Sequence, residues 1–143
     1  MSIAAMSIAA IRSGLADVLE SVPGIKSAAG WPTEQIGATP FAFVGFLDDA
    51  ITAGNRETHL YSFSITVLVT RKGANLPAEV MAAEAIIPDL LDAIRNNQTL
   101  GLPDVYRVEP IRIRGGVFTY ANVEWTGIEL RVDIKQSFHA SYA

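Results

Sequence analysis

Between residues 59 and 70 the chain reads HLYSFSITVLVT, and apolar and polar side chains alternate along it. Tyr61, Phe63, Ile65, Val67 and Val69 fall on one side; Ser62, Ser64, Thr66 and Thr70 fall on the other, with Leu60 and Leu68 as interruptions. Successive side chains of an extended backbone point to opposite faces, so this stretch predicts a strand with one face on a core. Residues 128–135 repeat the pattern: Ile128, Leu130, Val132 and Ile134 alternate with Glu129, Arg131, Asp133 and Lys135. A sheet made of such strands has one apolar face to cover, and the charged face is expected to point away from the cover.

Two segments have the periodicity of that cover. Ile8, Ile11, Leu15, Val18, Leu19 and Val22 lie at offsets 0, 3, 7, 10, 11 and 14, and Val80, Ala83, Ile87, Leu90, Leu91 and Ile94 repeat the same offsets. Each set is one stripe of an amphipathic helix. Pro23-Gly24 stops the first helix, over residues 7–22. Pro77 suits the start of the second, with Glu79 in its first turn, where the helix dipole favours a carboxylate. Pro88 cannot donate to the carbonyl of Glu84, so a kink is expected there. Asn96-Asn97 and Gly101 end this helix.

The other segments are shorter. Residues 24–40, rich in Gly, Pro and Ala, read as an extended connection, with Trp31 as an anchor tucked onto the core or, as the alternative, an exposed contact for a partner. FAFVGFL at 41–47 reads as a strand. Residues 48–58 read as a loop of about eleven residues, long for a hairpin. Arg71-Lys72-Gly73 turns the chain toward the second helix. Residues 104–114 form a strand in which Pro110 marks an edge or a bulge. Gly115-Gly116 and Thr126-Gly127 read as turns that separate strands at 117–125 and 128–135. The expected order is helix, strand, strand, helix, then a three-stranded antiparallel meander. This is an α+β two-layer sandwich: a single domain over residues 1–143, with two helices on one face of a mainly antiparallel sheet of about five strands. MSIAA occurs at residues 1–5 and again at 6–10. The repeat is too short to be a structural unit and reads as a duplicated or alternative start.

Composition narrows the function classes. The chain has 143 residues, half of them apolar, with 11 basic and 15 acidic side chains. A chain of this mass exposes roughly 7,000 Å² folded against about 22,000 Å² unfolded, enough burial for one core. Without cysteine there is no disulfide, thiolate nucleophile or thiolate metal site. The net acidity and the lack of a basic stripe argue against a dedicated nucleic-acid binder. No apolar run approaches the roughly 20 residues of a membrane span, and the expectation is a soluble protein that is intracellular or assembled from intracellular parts. Phosphate-binding loops, dinucleotide fingerprints, zinc-protease motifs and nucleophile elbows are missing. Asp48-Asp49 are neighbours in the expected loop and lack the defined separation that paired catalytic carboxylates need. Glu84 and Asp92 are expected on the solvated side of the second helix. His59 and His139 read as ordinary surface or edge histidines. No catalytic, cofactor-binding or metal-ligating residue is assigned, and no cofactor or enzymatic activity is expected.

Taken together, IAAIRSGLADVLESVPGI, the Pro/Gly-rich connection, the strand pair, RKGANLPAEVMAAEAIIPDLLDAI and the terminal GIELRVDIKQSF resemble the tail terminator or tail completion proteins of long-tailed bacteriophages. The resemblance covers roughly residues 6–138 and rests on element order, without a catalytic signature. It implies a structural virion protein forming an oligomeric ring, generally a hexamer, on the head-proximal end of the tail tube. The ring would end tube polymerisation and offer a head–tail joining surface. The implied partners are copies of the chain, the tail tube protein, a head-completion or connector protein and, in a contractile tail, the sheath. DNA would pass through the lumen without specific binding, and no membrane is involved. An alternative within this class is a head-completion or connector adaptor of the neck. A more remote one is a small ligand-binding or enzymatic α+β domain, which a pocket joining His59 or His139 to acidic residues would favour. The expected interface residues are Asp48, Asp49, Arg56, Glu57, Arg71 and Lys72 in the two polar loops, with Arg112 and Arg114 as candidates for a ring or lumen contact.

Overall fold

The computed structural model describes residues 3–33, 35–102 and 105–139. Helix α1 (Ile3–Glu20) is followed by strand β1 (Ser27–Ala29), strand β2 (Phe41–Thr52) and strand β3 (Arg56–Arg71). Helices α2 (Leu76–Glu84) and α3 (Ile87–Arg95) come next, and then strands β4 (Val105–Tyr120) and β5 (Val123–His139). The five strands form one sheet in the order β1-β2-β3-β5-β4; all pairings are antiparallel except β1 with β2. The architecture is the expected α+β sandwich with its helices on one face.

The predicted stripes form the core. Ile11, Leu15, Val18, Leu19 and Val22 from the α1 region meet Ala83, Ile86, Leu90 and Ile94 from the α2–α3 region. Both sets lie on Tyr61, Phe63, Ile65 and Val67 of β3 and Ile128, Leu130, Val132 and Ile134 of β5. Each fully buried aliphatic or aromatic side chain here contributes about 1.5–3 kcal/mol of transfer free energy. Pro88 does more than kink the second helical segment. The segment breaks at Ala85-Ile86, and Pro88 lies in the first turn of α3, where its missing N–H leaves no bond unmade. Asn75 caps α2 by accepting from the Ala78 N–H at 3.3 Å.

Several boundaries differ from expectation, each for a local reason. Residues 48–58 are not a loop: β2 and β3 continue through them as one long hairpin whose turn is residues 53–55. Cross-strand pairing overrides the polar composition of these residues. Gly115-Gly116 is not a turn, and neither is Thr126-Gly127. These residues pair with one another in mid-strand, Gly115 opposite Ile128 and Gly116 opposite Gly127. The expected three-stranded meander is therefore a two-stranded hairpin, β4–β5. Its turn is Ala121-Asn122, with φ of 52° and 63°, the double left-handed geometry of a two-residue hairpin. Gly127 is there for space, because a Cβ would collide with the carbonyl oxygen of Val67 on β3. The fifth strand is β1 instead, a short parallel addition within the expected connection; Ser27-Ala28-Ala29 has no alternation to announce it. Pro110 does lie on an edge strand beside a register shift, as expected.

Trp31 is not a core anchor. It is 50% exposed and lies over the Arg12 guanidinium at 5.7 Å. The strap around it is fastened by Tyr120, whose hydroxyl accepts from the Thr33 N–H at 2.8 Å and donates to the Thr33 carbonyl. Under that strap the outer face of the sheet carries a second apolar cluster of Phe41, Phe43, Leu68 and Trp125, bordered by Ile36, Phe118 and Tyr120. Arg12 itself closes a gap in the sheet. Its Nη1 donates to Gly30 O and Val44 O, both at 2.8 Å, where β1 ends and the β2 edge is left open. Burial lowers the pKa of this guanidinium, but arginine remains charged at any ordinary pH. Residues 1 and 2 of the MSIAA repeat lie outside the described residues, as does Asp104 at the expected start of β4.

The glycines yield a test. Gly127→Ala should cost about 2–3 kcal/mol in urea unfolding, because the backbone of β3 must move. Gly115→Ala meets only ordinary contacts at 3.9 Å and beyond, and should cost less than about 1 kcal/mol. Equal losses at the two positions would contradict this packing of β5 on β3.

Candidate functional site

The outer face of the sheet is laid out in rows by strand register. One row joins Phe43, Thr66, Glu129 and Arg114; the next joins Gly45, Ser64, Arg131 and Arg112; the next joins Asp48, Ser62, Asp133 and Glu109; and another joins Ala50, Leu60, Lys135 and Arg107. The β2–β3 half of this face is therefore mostly small or short side chains. The β5–β4 half is long and charged, as expected for residues 128–135. A shallow trough of about 250 Å³ follows the boundary, lined by Leu47, Arg112, Arg114, Glu129 and Arg131.

The row through Gly45 and Ser64 is electrostatically unusual. Arg131 and Arg112 face each other across adjacent strands, and like charges so placed repel. Arg131 is held by Asp133 at 3.7 Å and donates to Ser62 Oγ at 3.2 Å. Arg114 reaches Glu129 at 3.3 Å and lies 5.4 Å over the Phe118 ring. Arg112 has no ion-pair partner among the described residues. With Glu129 paired to Arg114 and Asp133 to Arg131, Arg112 leaves the trough one positive charge in excess, and it suits a carboxylate or phosphate presented from outside.

A second polar group lies at the hairpin end of the sheet, on the helix side. His59 is only 2% exposed; its Nδ1 lies 2.6 Å from Asp49 Oδ2 and its Nε2 lies 2.9 Å from Glu57 Oε2. Both ring nitrogens face carboxylate oxygens, and only the doubly protonated imidazolium can donate to both. The ring also stacks on Tyr61 at 5.3 Å, and the Tyr61 hydroxyl donates to Gln136 Oε1 at 3.2 Å. Burial by itself pulls the His59 pKa down. The ring is sealed by its immediate neighbours rather than sunk deep in the core, so the hydrogen bonds and charges of Glu57 and Asp49 outweigh burial, and the net shift is upward. The expectation of an ordinary surface or edge histidine is overturned for His59. Its partner Asp49 was hidden because the hairpin, not sequence spacing, brings positions ten apart together. The side chain of His139 lies outside the described residues.

The eight expected interface residues thus separate into four places. Asp49 and Glu57 meet through His59, while Arg56 donates to Ser137 Oγ and O at 3.1 and 2.8 Å on the same hairpin. Asp48 is on the outer face opposite Ser62. Arg71 and Lys72 are at the other end of β3: Arg71 lies 5.7 Å over the Trp125 ring, and Lys72 pairs with Glu124 at 3.3 Å. Arg112 and Arg114 share the trough. Arg131, which alternation had placed on the charged face, is the missed third member. Residues 72–75 make a short connection rather than a long loop.

No protein-family model and no curated protein matches the chain. Among the described residues, no group of three or more His, Asp or Glu side chains is arranged to hold a metal ion. No described helix is long and apolar enough to cross a membrane.

The histidine cage predicts a pH dependence. A raised folded-state pKa means that folding favours the protonated ring. The stabilisation is complete below the unfolded value of about 6.5 and is lost as pH rises through the folded value. Urea stability should therefore fall on going from about pH 6 to the alkaline side, and His59→Gln should remove that part of the slope. A variant with an unchanged slope would show that the cage is not its source.

Proposed function

We propose that this chain is a structural subunit of a phage virion, forming the ring that caps the head-proximal end of the tail tube, stops its growth and joins it to the head. The observation that supports this reading is the presence of two chemically unlike ends on one rigid sheet. Strand β3 has 16 residues, and at about 3.3 Å per residue its ends are roughly 50 Å apart. At one end the β2–β3 hairpin runs beyond the helical layer, since Ile51 faces the helix side yet is 59% exposed. This end carries the Asp49–His59–Glu57 cage. The other end carries Arg71, Lys72, the Ala121-Asn122 turn and the strap with exposed Trp31.

A capping ring needs that polarity. One end must fit the last ring of the tube and the other must fit a different protein of the head connector. Neighbouring subunits in the ring must meet through unlike surfaces. The sequence resemblance to tail terminator and completion proteins supports the same reading. The protein acts by shape and docking on this reading, without turnover of a substrate, and its place is the tail of the assembled particle.

Purified protein mixed with isolated tail tubes should form rings, seen by electron microscopy at one end of each tube. A protein that stays monomeric at every concentration and leaves tubes bare would refute the proposal. A label that localises instead to the head side of the neck would favour the connector adaptor.

The charge reversal Arg71→Glu with Lys72→Glu gives a sharper test. The Lys72–Glu124 pair is largely exposed, 45% and 57%, so its loss should cost no more than about 1 kcal/mol. Folding should stay intact by circular dichroism while joining of heads to tails drops in a reconstitution assay. Normal joining by this double variant would remove Arg71 and Lys72 from the docking surface.

A further inference from the structure

Two local electrostatic costs of opposite sign lie on opposite faces of the molecule. The first is the Arg131–Arg112 row, with Arg114 beside it and Arg112 unpaired among the described residues. The second is the C-terminal turn of α1. Asp17 and Glu20 lie in that turn, where no basic residue is present. A helix C-terminus carries partial negative charge, so acids there are unfavourable. Both are exposed, and neither is ion-paired among the described residues. At 100° per residue they point about opposite to the buried stripe of Ile11, Leu15 and Leu19. The remaining exposed charges accentuate the contrast. On α2 and α3 the exposed acids are Glu84, Asp89 and Asp92, and only Arg95 is an exposed base.

The outward side of α1 is smooth before its acids, with Ala9 and Ser13 exposed. On its β2–β3 side the trough is lined by Leu47, which is exposed, and the arginine row continues there into the small residues Ser64 and Gly45. Along a helix, residues three apart are about 5–6 Å apart. Along a strand, Arg112 and Arg114 are about 7 Å apart. An Asp17–Glu20 pair can therefore reach both arginines together.

We infer that the trough is the docking site for a second copy of this chain, which seats the C-terminal turn of its α1 there and places Asp17 and Glu20 against Arg112, Arg114 and Arg131. The contact is heterologous: each copy offers the helix on one face and the trough on the other, so successive copies close a ring if the rotation between them closes. The inference rests on the ring reading and names the contact between its subunits.

Self-association measured by sedimentation and native mass spectrometry tests it. The reversals D17K/E20K and R112E/R114E should each weaken association by about tenfold or more, and their combination in one chain should restore it. Association of the wild type should also weaken as salt rises from about 0.05 M to about 0.5 M. All four positions are exposed, so folding should survive; the neutral pairs D17N/E20Q and R112Q/R114Q should shift association in the same direction by less. Rings that form equally well in the wild type and both reversals would overturn this contact and leave the ring reading standing. Reversals that spare self-association but abolish binding to DNA or to tail tubes would assign the trough to those partners and overturn the inference. A wild type that is monomeric throughout would overturn both.

Discussion

Strand β5 is the constraint on which the structure depends. It pairs along almost its whole length with β3 on one side and β4 on the other. Its side chains alternate strictly between aliphatic and charged over residues 128–135. A slip of one residue would bury Glu129, Arg131, Asp133 and Lys135 beneath the helices, at a cost far above any gain in hydrogen bonding. Register is fixed further by Gly127, which passes under the Val67 carbonyl where no other residue fits. With β5 fixed, the helices can cover one face only, and the charged rows must form on the other.

The edges of the sheet are managed differently from its faces. The open edge of β2 is met by Arg12 at Val44 and disturbed by a register shift between Phe46 and Asp48. The edge of β4 has Pro110 and a further register shift. These devices discourage backbone pairing with another chain. The surfaces left for specific recognition are the side-chain rows, the helix layer and the two ends of the sheet. This distribution favours docking through charge and shape over strand addition, and it is why the trough and the turn of α1, rather than an open edge, are the subunit contact inferred.

The hairpin end shows the same chemistry with the opposite outcome. Asp49 and Glu57 would repel each other if brought together alone, and the buried imidazolium between them makes the arrangement favourable. Here Asp49 Oδ2 and Glu57 Oε2 share the His59 ring within the chain, while Asp49 Oδ1 is buried without a hydrogen-bond partner. On the outer face Arg131 is paired with Asp133 and Arg114 with Glu129, while Arg112 has no ion-pair partner among the described residues.

The sequence by itself determined the layers: two helix stripes, two alternating strands, a disturbance of the second helix near Pro88 (expected as a kink, found as a break at Ala85-Ile86) and the bulged edge at Pro110 all follow from local periodicity and backbone chemistry. It also determined which side chains of residues 128–135 face outward, and so the charged character of the candidate surface. Tertiary structure decided the rest. Polar residues 48–58 became strand because β3 and β2 continue to pair there. Gly115 and Gly116 became mid-strand positions because β4 goes on pairing with β5 there, and Gly127 because the Val67 backbone leaves no room for a side chain, while the true turn at Ala121-Asn122 carries no glycine to mark it. His59 gained Asp49 only through hairpin register, and Arg112 met Arg131 only because β4 lies against β5. Periodicity reports which way a side chain points; which side chain it meets depends on strand pairing between residues distant in the chain, and that is settled only when the sheet closes.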